Sequence, residues 1–235
     1  MITIVTPTCD RPEAFALAEK YVARQTYRDF DWIVLDDGRV PVQTTLGQRV
    51  IRTPDTRGFS SLCRKMVGLF EKPDQIKGDG VLVMEDDDWY HPDYVARLAP
   101  LLERADLIGE GRTIYYNVVV RTWAVHTNMQ HCSLCGTGFS RKAFGAFYNQ
   151  AMMLDPYVDM RFWRNASSEL KREIRDPEIT GRHLVGIKGM PGLRGYSPQH
   201  DPNYALHRTA FQDADLTKLR ALIGDDVKNY ESYRS

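Results

Sequence analysis

Apolar residues fall in short clusters along the chain, and two spacings alternate. The first cluster, residues 2–6, is a β-branched run of Ile, Thr and Val that predicts a buried strand, stopped by Pro7-Thr8-Cys9. Asp10 and Glu13 then stand three apart like a helix capping box, with Phe15, Ala18 and Tyr21-Val22 at helical spacing behind them. Residues 32–35 predict a second strand ending at Asp36-Asp37-Gly38, and residues 49–51 a third. Residues 60–70 carry the helical stripe Leu62, Met66 and Leu69-Phe70. Val81-Leu82-Val83-Met84 has no polar alternation, as expected at the centre of a covered sheet, and runs directly into Glu85-Asp86-Asp87-Asp88. Pro92 opens a helix carrying Tyr94-Val95, Leu98 and Leu101-Leu102.

Beyond Gly111 the pattern changes. Residues 114–120 predict a long strand, continued or paired through residues 123–125, followed by a loop with Cys132, Cys135, Gly136 and Gly138. Helices are predicted over residues 141–152, 157–172 and 215–223, with a short strand at 184–187 inside a glycine-rich stretch. Strands alternating with helices predict a parallel α/β sheet. At 235 residues one sizeable domain is expected, without repeats or a linker.

Composition adds little to that picture. The chain is 43% hydrophobic and 26% charged, and 31 Lys plus Arg balance 31 Asp plus Glu, so no global charge draws it to nucleic acid or an anionic membrane. No apolar run is long enough to span a bilayer, the first strand begins at Ile2, and four cysteines are too few for a disulfide scaffold. A cytoplasmic protein is expected.

Chemistry enters with the carboxylates. In parallel α/β sheets ligands bind beyond the carboxyl ends of strands. Asp36-Asp37 and Asp86-Asp87-Asp88 both follow predicted strands. Consecutive acids repel one another, and a hard divalent cation such as Mg²⁺ relieves that cost while bridging substrate phosphates. The alternative, a solvated acidic turn, fits less well between an apolar strand and Trp89-Tyr90-His91-Pro92-Asp93.

Three segments in order carry a resemblance: Ile4-Val5-Thr6-Pro7-Thr8, Val34-Leu35-Asp36-Asp37-Gly38, and Val83-Met84-Glu85-Asp86-Asp87-Asp88 with Trp89-Tyr90-His91-Pro92-Asp93. Together they resemble glycosyltransferase family 2, most closely over residues 1 to about 103. The resemblance implies a GT-A fold: a Rossmann-like mixed sheet flanked by helices, with a nucleotide-sugar half at about 1–110 and an acceptor half at about 111–235. It implies that Thr6, Pro7 and Thr8 line the base and ribose, that Asp37 accepts from the base as in uracil-binding relatives, and that Asp86 reaches the ribose. Asp87, with Asp88, is implied to hold a Mn²⁺ or Mg²⁺ ion that bridges the diphosphate. Glu85 departs from the family pattern, standing where the first Asp of Asp-x-Asp is usual. Arg57 and Lys65 lie where the family carries Asn-x-Gly and Arg-Asn, and a cation there suits phosphate or nucleotide; for Lys65, as for Arg64, a solvated helix face is the alternative.

In the second half, Val158-Asp159-Met160-Arg161-Phe162-Trp163-Arg164 resembles the family's acid-then-aromatic segment. That makes Asp159 the implied catalytic base; an ordinary first-turn acid is the alternative. Many GT-A enzymes add a C-terminal histidine to the metal shell, here His200 with His207 second. Cys132 and Cys135, with His126 and His131, form a weak zinc pattern that lacks a second pair; small loop residues near the acceptor are the other reading.

The function implied is metal-dependent, inverting transfer from a nucleotide sugar, a UDP-sugar by Asp37, to an acceptor hydroxyl. A sugar nucleotidyltransferase is the second reading, weakened because residues 6–10 hold no glycine; a non-catalytic nucleotide-binding module is the third. Residues 161–208 carry nine Lys/Arg against five Asp/Glu with interleaved aromatics, which suits a sugar, a lipid phosphate or nucleic acid. The absence of a membrane segment weakens the lipid-linked acceptor and leaves a soluble glycan, a protein or a modified DNA base.

Overall fold

The computed structural model describes residues 1–54, 60–177, 181–192 and 210–233 of the chain. In chain order the strands and helices are β1 (Ile2–Thr8), α1 (Pro12–Ala23), β2 (Phe30–Asp36), β3 (Arg49–Arg52), α2 (Ser61–Phe70), β4 (Gly80–Val83), β5 (Trp89–Tyr90) and α3 (Tyr94–Leu98). There follow β6 (Leu107–Glu110), β7 (Arg112–Asn117), β8 (Thr122–Thr127), β9 (Thr137–Ser140), α4 (Phe144–Ala151) and α5 (Val158–Asn165). The last are β10 (Arg172–Arg175), β11 (Leu184–Lys188), β12 (Phe211–Gln212) and α6 (Thr217–Ile223).

The larger sheet has seven strands in the order β10-β6-β9-β4-β1-β2-β3. β1 lies between β2 and β4, parallel to both. Alternate residues of these strands enter two different cores, as period-two geometry requires. Ile4, Val34 and Leu82 join Phe15 and Val22 of α1 on one face; Val5, Ile33, Val81 and Val83 join Met66 of α2, Phe147 of α4 and Phe162 and Trp163 of α5 on the other. Burial on both faces explains the missing polar alternation in β1 and β4. The smaller sheet, β12-β8-β7-β11-β5, adds Ile114, Tyr116, Val185 and Ile187 to the first core. Among the described residues no helix is long and apolar enough to cross a membrane.

The structure corrects several expectations. The sheet is mixed, as the family resemblance implies, and not purely parallel, as the alternation of elements alone predicts, because β9 runs antiparallel to both β4 and β6. β9 falls inside the segment read as a loop, since Gly138 hides its pattern; a Cβ there would meet Leu82 Cδ2 at 2.3 Å. The predicted 157–172 helix ends at Asn165, where Ala166 turns to extended backbone and the Ser167 hydroxyl accepts from the Glu169 N–H. The segment after it supplies the unpredicted strand β10, parallel to β6. The helix after Pro92 becomes a 3₁₀ turn at Ala99–Glu103, because Pro100 has no N–H to continue an α-helix. The capping box does not form: Arg11 takes the N-cap position, and Asp10, at φ 47°, instead accepts from the Val40 N–H through Oδ1.

Candidate active site

The carboxyl ends of β1, β2 and β4 lie side by side, and the loops leaving them carry the acids. Thr8, the last residue of β1, ties these loops together. Its hydroxyl donates to Asp86 Oδ2 at 2.7 Å, and its carbonyl accepts from Lys65 Nζ at 2.9 Å. The same ammonium donates to Asp37 Oδ1 at 2.7 Å, and Ser61 Oγ donates to Asp37 Oδ2 at 2.5 Å. Burial works to raise the Asp37 pKa, but the hydrogen bonds from Lys65 and Ser61 outweigh it and hold the carboxyl below its ordinary range. Lys65 is thus a buried ion-pair partner, not a solvated helix-face residue. Asp36 has a different task, binding the Gly38 and Val42 N–H groups at 2.8 Å each and Arg52 at 2.5 Å, which fixes the turn after β2.

Thr6 and Pro7 are buried within β1. The Thr6 hydroxyl accepts from Trp32 Nε1 at 3.0 Å, so this side chain braces β1 against β2. Of the three residues expected to line the nucleotide, Thr8 bonds directly to the acidic cluster, whereas the Thr6 hydroxyl faces Trp32.

The cluster after β4 holds its own cations. Arg11 donates to Asp86 Oδ1 and, at 3.0 Å, to Asp87 Oδ2. Lys188, at the end of β11, lies 3.7 Å from Asp87 Oδ2 and 3.2 Å from Asp88 Oδ1. Asp88 Oδ1 also accepts from the Ile187 N–H at 2.9 Å, which joins the cluster to the smaller sheet. Asp88 Oδ2 is buried without a hydrogen-bond partner. Glu85, Asp88 and Cys135 bring ligand atoms within 4.8 Å of one another. Burial raises the pKa of Glu85 and of Asp88, with neighbouring acids adding to it and Lys188 opposing.

Asp159 occupies the first turn of α5. Its Oδ1 accepts from the Met160 N–H at 2.8 Å. Burial pushes its pKa up to about 6, against hydrogen bonds from the backbone of Met160, Leu134 and Asp159 itself. The 3₁₀ turn Leu134–Gly136 therefore connects Asp159 to the acidic cluster: Leu134 meets Asp159, and Cys135 meets Glu85 and Asp88.

The zinc pattern is not realised. The Cys132 Sγ lies where a Cβ on Gly109 would meet it at 2.7 Å, His126 packs edge-on against Tyr115, and His131 Nε2 bonds Asn128 Nδ2. Burial holds both Cys132 and Cys135 thiols well above their ordinary pKa. Arg57, His200 and His207 lie outside the described residues.

Among the described residues Glu85, Asp88 and Cys135 bring ligand atoms close enough to hold an ion, and their two carboxylates are the hard oxygen donors that Mg²⁺ or Mn²⁺ prefer, whereas Asp86 and Asp87 are paired with Arg11. The site residues that sequence reasoning missed are Arg11 and Lys188. They meet Asp87 and Asp88 across 76 and 100 positions of chain, respectively, and no local pattern marks such pairs.

A mixed sheet whose parallel strands end in Thr8, Asp37 and an acidic run defines the GT-A glycosyltransferase fold. The glycosyl transferase family 2 model matches residues 3–158, and the chain belongs to that family. The match stops one residue short of Asp159. Among solved structures, residues 1–349 of TarS from S. aureus in complex with UDP superpose with a TM-score of 0.53 at 14% identity, covering 80% of this chain and 60% of that one. The mannosyltransferase PcManGT from Pyrobaculum calidifontis, in complex with GDP-Man and Mn²⁺, gives 0.50 at 14% identity, covering 83% and 58%. The chain thus spans less than two thirds of either structure. No curated protein matches it in sequence.

Proposed function

We propose that the chain transfers a sugar from a nucleotide-diphosphate donor, a UDP-sugar, to an acceptor hydroxyl with inversion at the anomeric carbon. The observation that carries this reading is the hydrogen-bonded row Asp86–Thr8–Lys65–Asp37 across the carboxyl ends of three adjacent strands. The row ends in Asp37, to which this reading gives the base, and in the acid run, to which it gives the diphosphate. The UDP bound by the TarS structure and the GDP-Man and Mn²⁺ bound by PcManGT agree with that class of donor.

In this reading Asp37 accepts from uracil N3–H, and Lys65 fixes its carboxylate in place. Asp86 receives the ribose. Asp87 is the principal ligand for Mn²⁺ or Mg²⁺, with Asp88 and His200 contributing. When bound, that ion neutralises charge on the departing diphosphate. Arg57 adds a cation on the phosphate side. Asp159, poised near neutral pH by burial, takes the acceptor hydroxyl's proton. We assign residues 1–110 to the donor side and 111–235 to the acceptor side of a single domain. The acceptor in this reading is a soluble glycan, a protein or a modified DNA base, and the basic, aromatic stretch at 161–208 of the sequence suits such a partner.

The test is turnover of a nucleotide-sugar panel with Mn²⁺ against a mixed acceptor set, read by mass spectrometry. UDP-sugar consumption by the wild type, lost in Asp87→Ala of unchanged fold, is expected. No consumption of any nucleotide sugar under these conditions would remove the transferase reading.

A further inference from the structure

Arg11 sits between the two acids that the proposed donor complex needs. Its guanidinium spans Asp86 and Asp87, and it is 13% exposed, so it borders solvent while both carboxylates are buried. Lys188 approaches Asp87 from the β11 side. One guanidinium therefore bridges Asp86 and Asp87, while Lys188 is shared between Asp87 and Asp88.

A bare divalent ion approaching Asp87 meets the guanidinium first. Like charges repel strongly at a partly buried site. A divalent ion that arrives with a diphosphate brings anionic oxygens, and a guanidinium fork pairs with such oxygens as readily as with carboxylates. The backbone at Arg11 is fixed. Asp10 is left-handed at φ 47°, and Gly192, at φ 104°, packs so closely that a Cβ would lie 2.7 Å from Asp10 O and 3.1 Å from Arg11 Cα. The Arg11 Cγ lies 3.0 Å from the same point, so the stem is held with the backbone and the change of partners falls to the guanidinium end.

We infer that Arg11 is an exchangeable counter-ion and diphosphate-binding residue: it holds Asp86 and Asp87 while the donor is absent, and moves to the donor's diphosphate when nucleotide and metal enter together. The inference rests on the metal-dependent reading above. It makes metal binding depend on nucleotide. The exchange is of ionic partners alone, with no covalent step.

The test titrates Mn²⁺ into wild type, Arg11→Met and Arg11→Lys, following free Mn²⁺ by electron paramagnetic resonance, with and without UDP. Without nucleotide the wild type binds Mn²⁺ weakly, and UDP tightens it by about tenfold or more. Arg11→Met takes the guanidinium away from both carboxylates, so it binds Mn²⁺ without UDP about tenfold more tightly than wild type. Arg11→Lys falls between. UDP binding at saturating Mn²⁺, by calorimetry, weakens in Arg11→Met. If Arg11→Met folds poorly, Mn²⁺ alone raises its melting temperature and leaves that of the wild type unmoved; a variant that Mn²⁺ does not rescue overturns the inference. Nucleotide-dependent Mn²⁺ binding in the wild type together with unimproved binding in Arg11→Met overturns the role of Arg11 and leaves the metal reading standing. Absence of Mn²⁺ binding in every protein, with or without UDP, removes both.

Discussion

Burial sets Asp159 apart from an ordinary first-turn acid. A carboxyl at the start of a helix is normally pulled below its usual pKa by the N-terminal dipole. Here desolvation overrides that pull and pushes the group up to about 6. A base works only when ionised, so kcat/KM should fall about tenfold per pH unit below about pH 6. Asp159→Asn should lose that limb and turn over at least about a hundredfold more slowly, with donor affinity unchanged. Stability moves the other way. The folded pKa lies above the unfolded value, so the group's favourable contribution is present at low pH and lost as pH rises through about 6. At pH 8, Asp159→Asn should melt no lower than the wild type. Asp37 poses the opposite case, held ionised by Lys65. UDP should bind more tightly than GDP by calorimetry, and Asp37→Asn should erase the difference. Asp37→Ala would also strand the buried Lys65 ammonium at a cost of about 3–5 kcal/mol, so the Asn variant separates recognition from folding.

Elements with strong local periodicity were legible along the chain, and those specified by contact were not. β1, β2, β4 and α2 announce themselves through apolar runs or stripes. β6, β9 and β10 do not, because glycines at 109 and 138 and the charged Arg172–Arg175 run carry no strand signature. Their pairing depends on close approach across the sheet. A Cβ at Gly109 would lie 2.4 Å from Gly136 O and 2.7 Å from Cys132 Sγ. The carbonyl belongs to the turn that connects Asp159 to the acidic cluster, and backbone yields less readily than a side chain. Gly109→Ala should therefore destabilise the fold by about 1–3 kcal/mol or more, measured by urea denaturation. The same distinction holds at the site. Asp37, Asp86 and Asp87 stand at strand ends and could be read from order alone. Arg11 and Lys188 meet them only after the chain has folded.

At the scale of the molecule, one short turn relates the proposed base to the acid run. The acids follow β4, and the Leu134–Gly136 turn touches Asp159 at Leu134 and Glu85 and Asp88 at Cys135. If the ion held by Asp87 neutralises the diphosphate, excess EDTA should abolish transfer and added Mn²⁺ should restore it. The stereochemistry then depends on which face of the sugar Asp159 serves. A base on the acceptor side, opposite the diphosphate, deprotonates a hydroxyl that attacks the anomeric carbon from the face away from the leaving group. Proton removal at one end and charge neutralisation at the other then belong to a single in-line displacement. One displacement inverts the centre, so an α-linked donor should yield a β-linked product, read from the anomeric proton coupling in NMR. An α-linked product would require a second displacement or attack from the leaving-group face. Neither uses a base opposite the diphosphate, so retention would end the assignment of Asp159 as an in-line base even with Asp87→Ala inactive and the donor site intact.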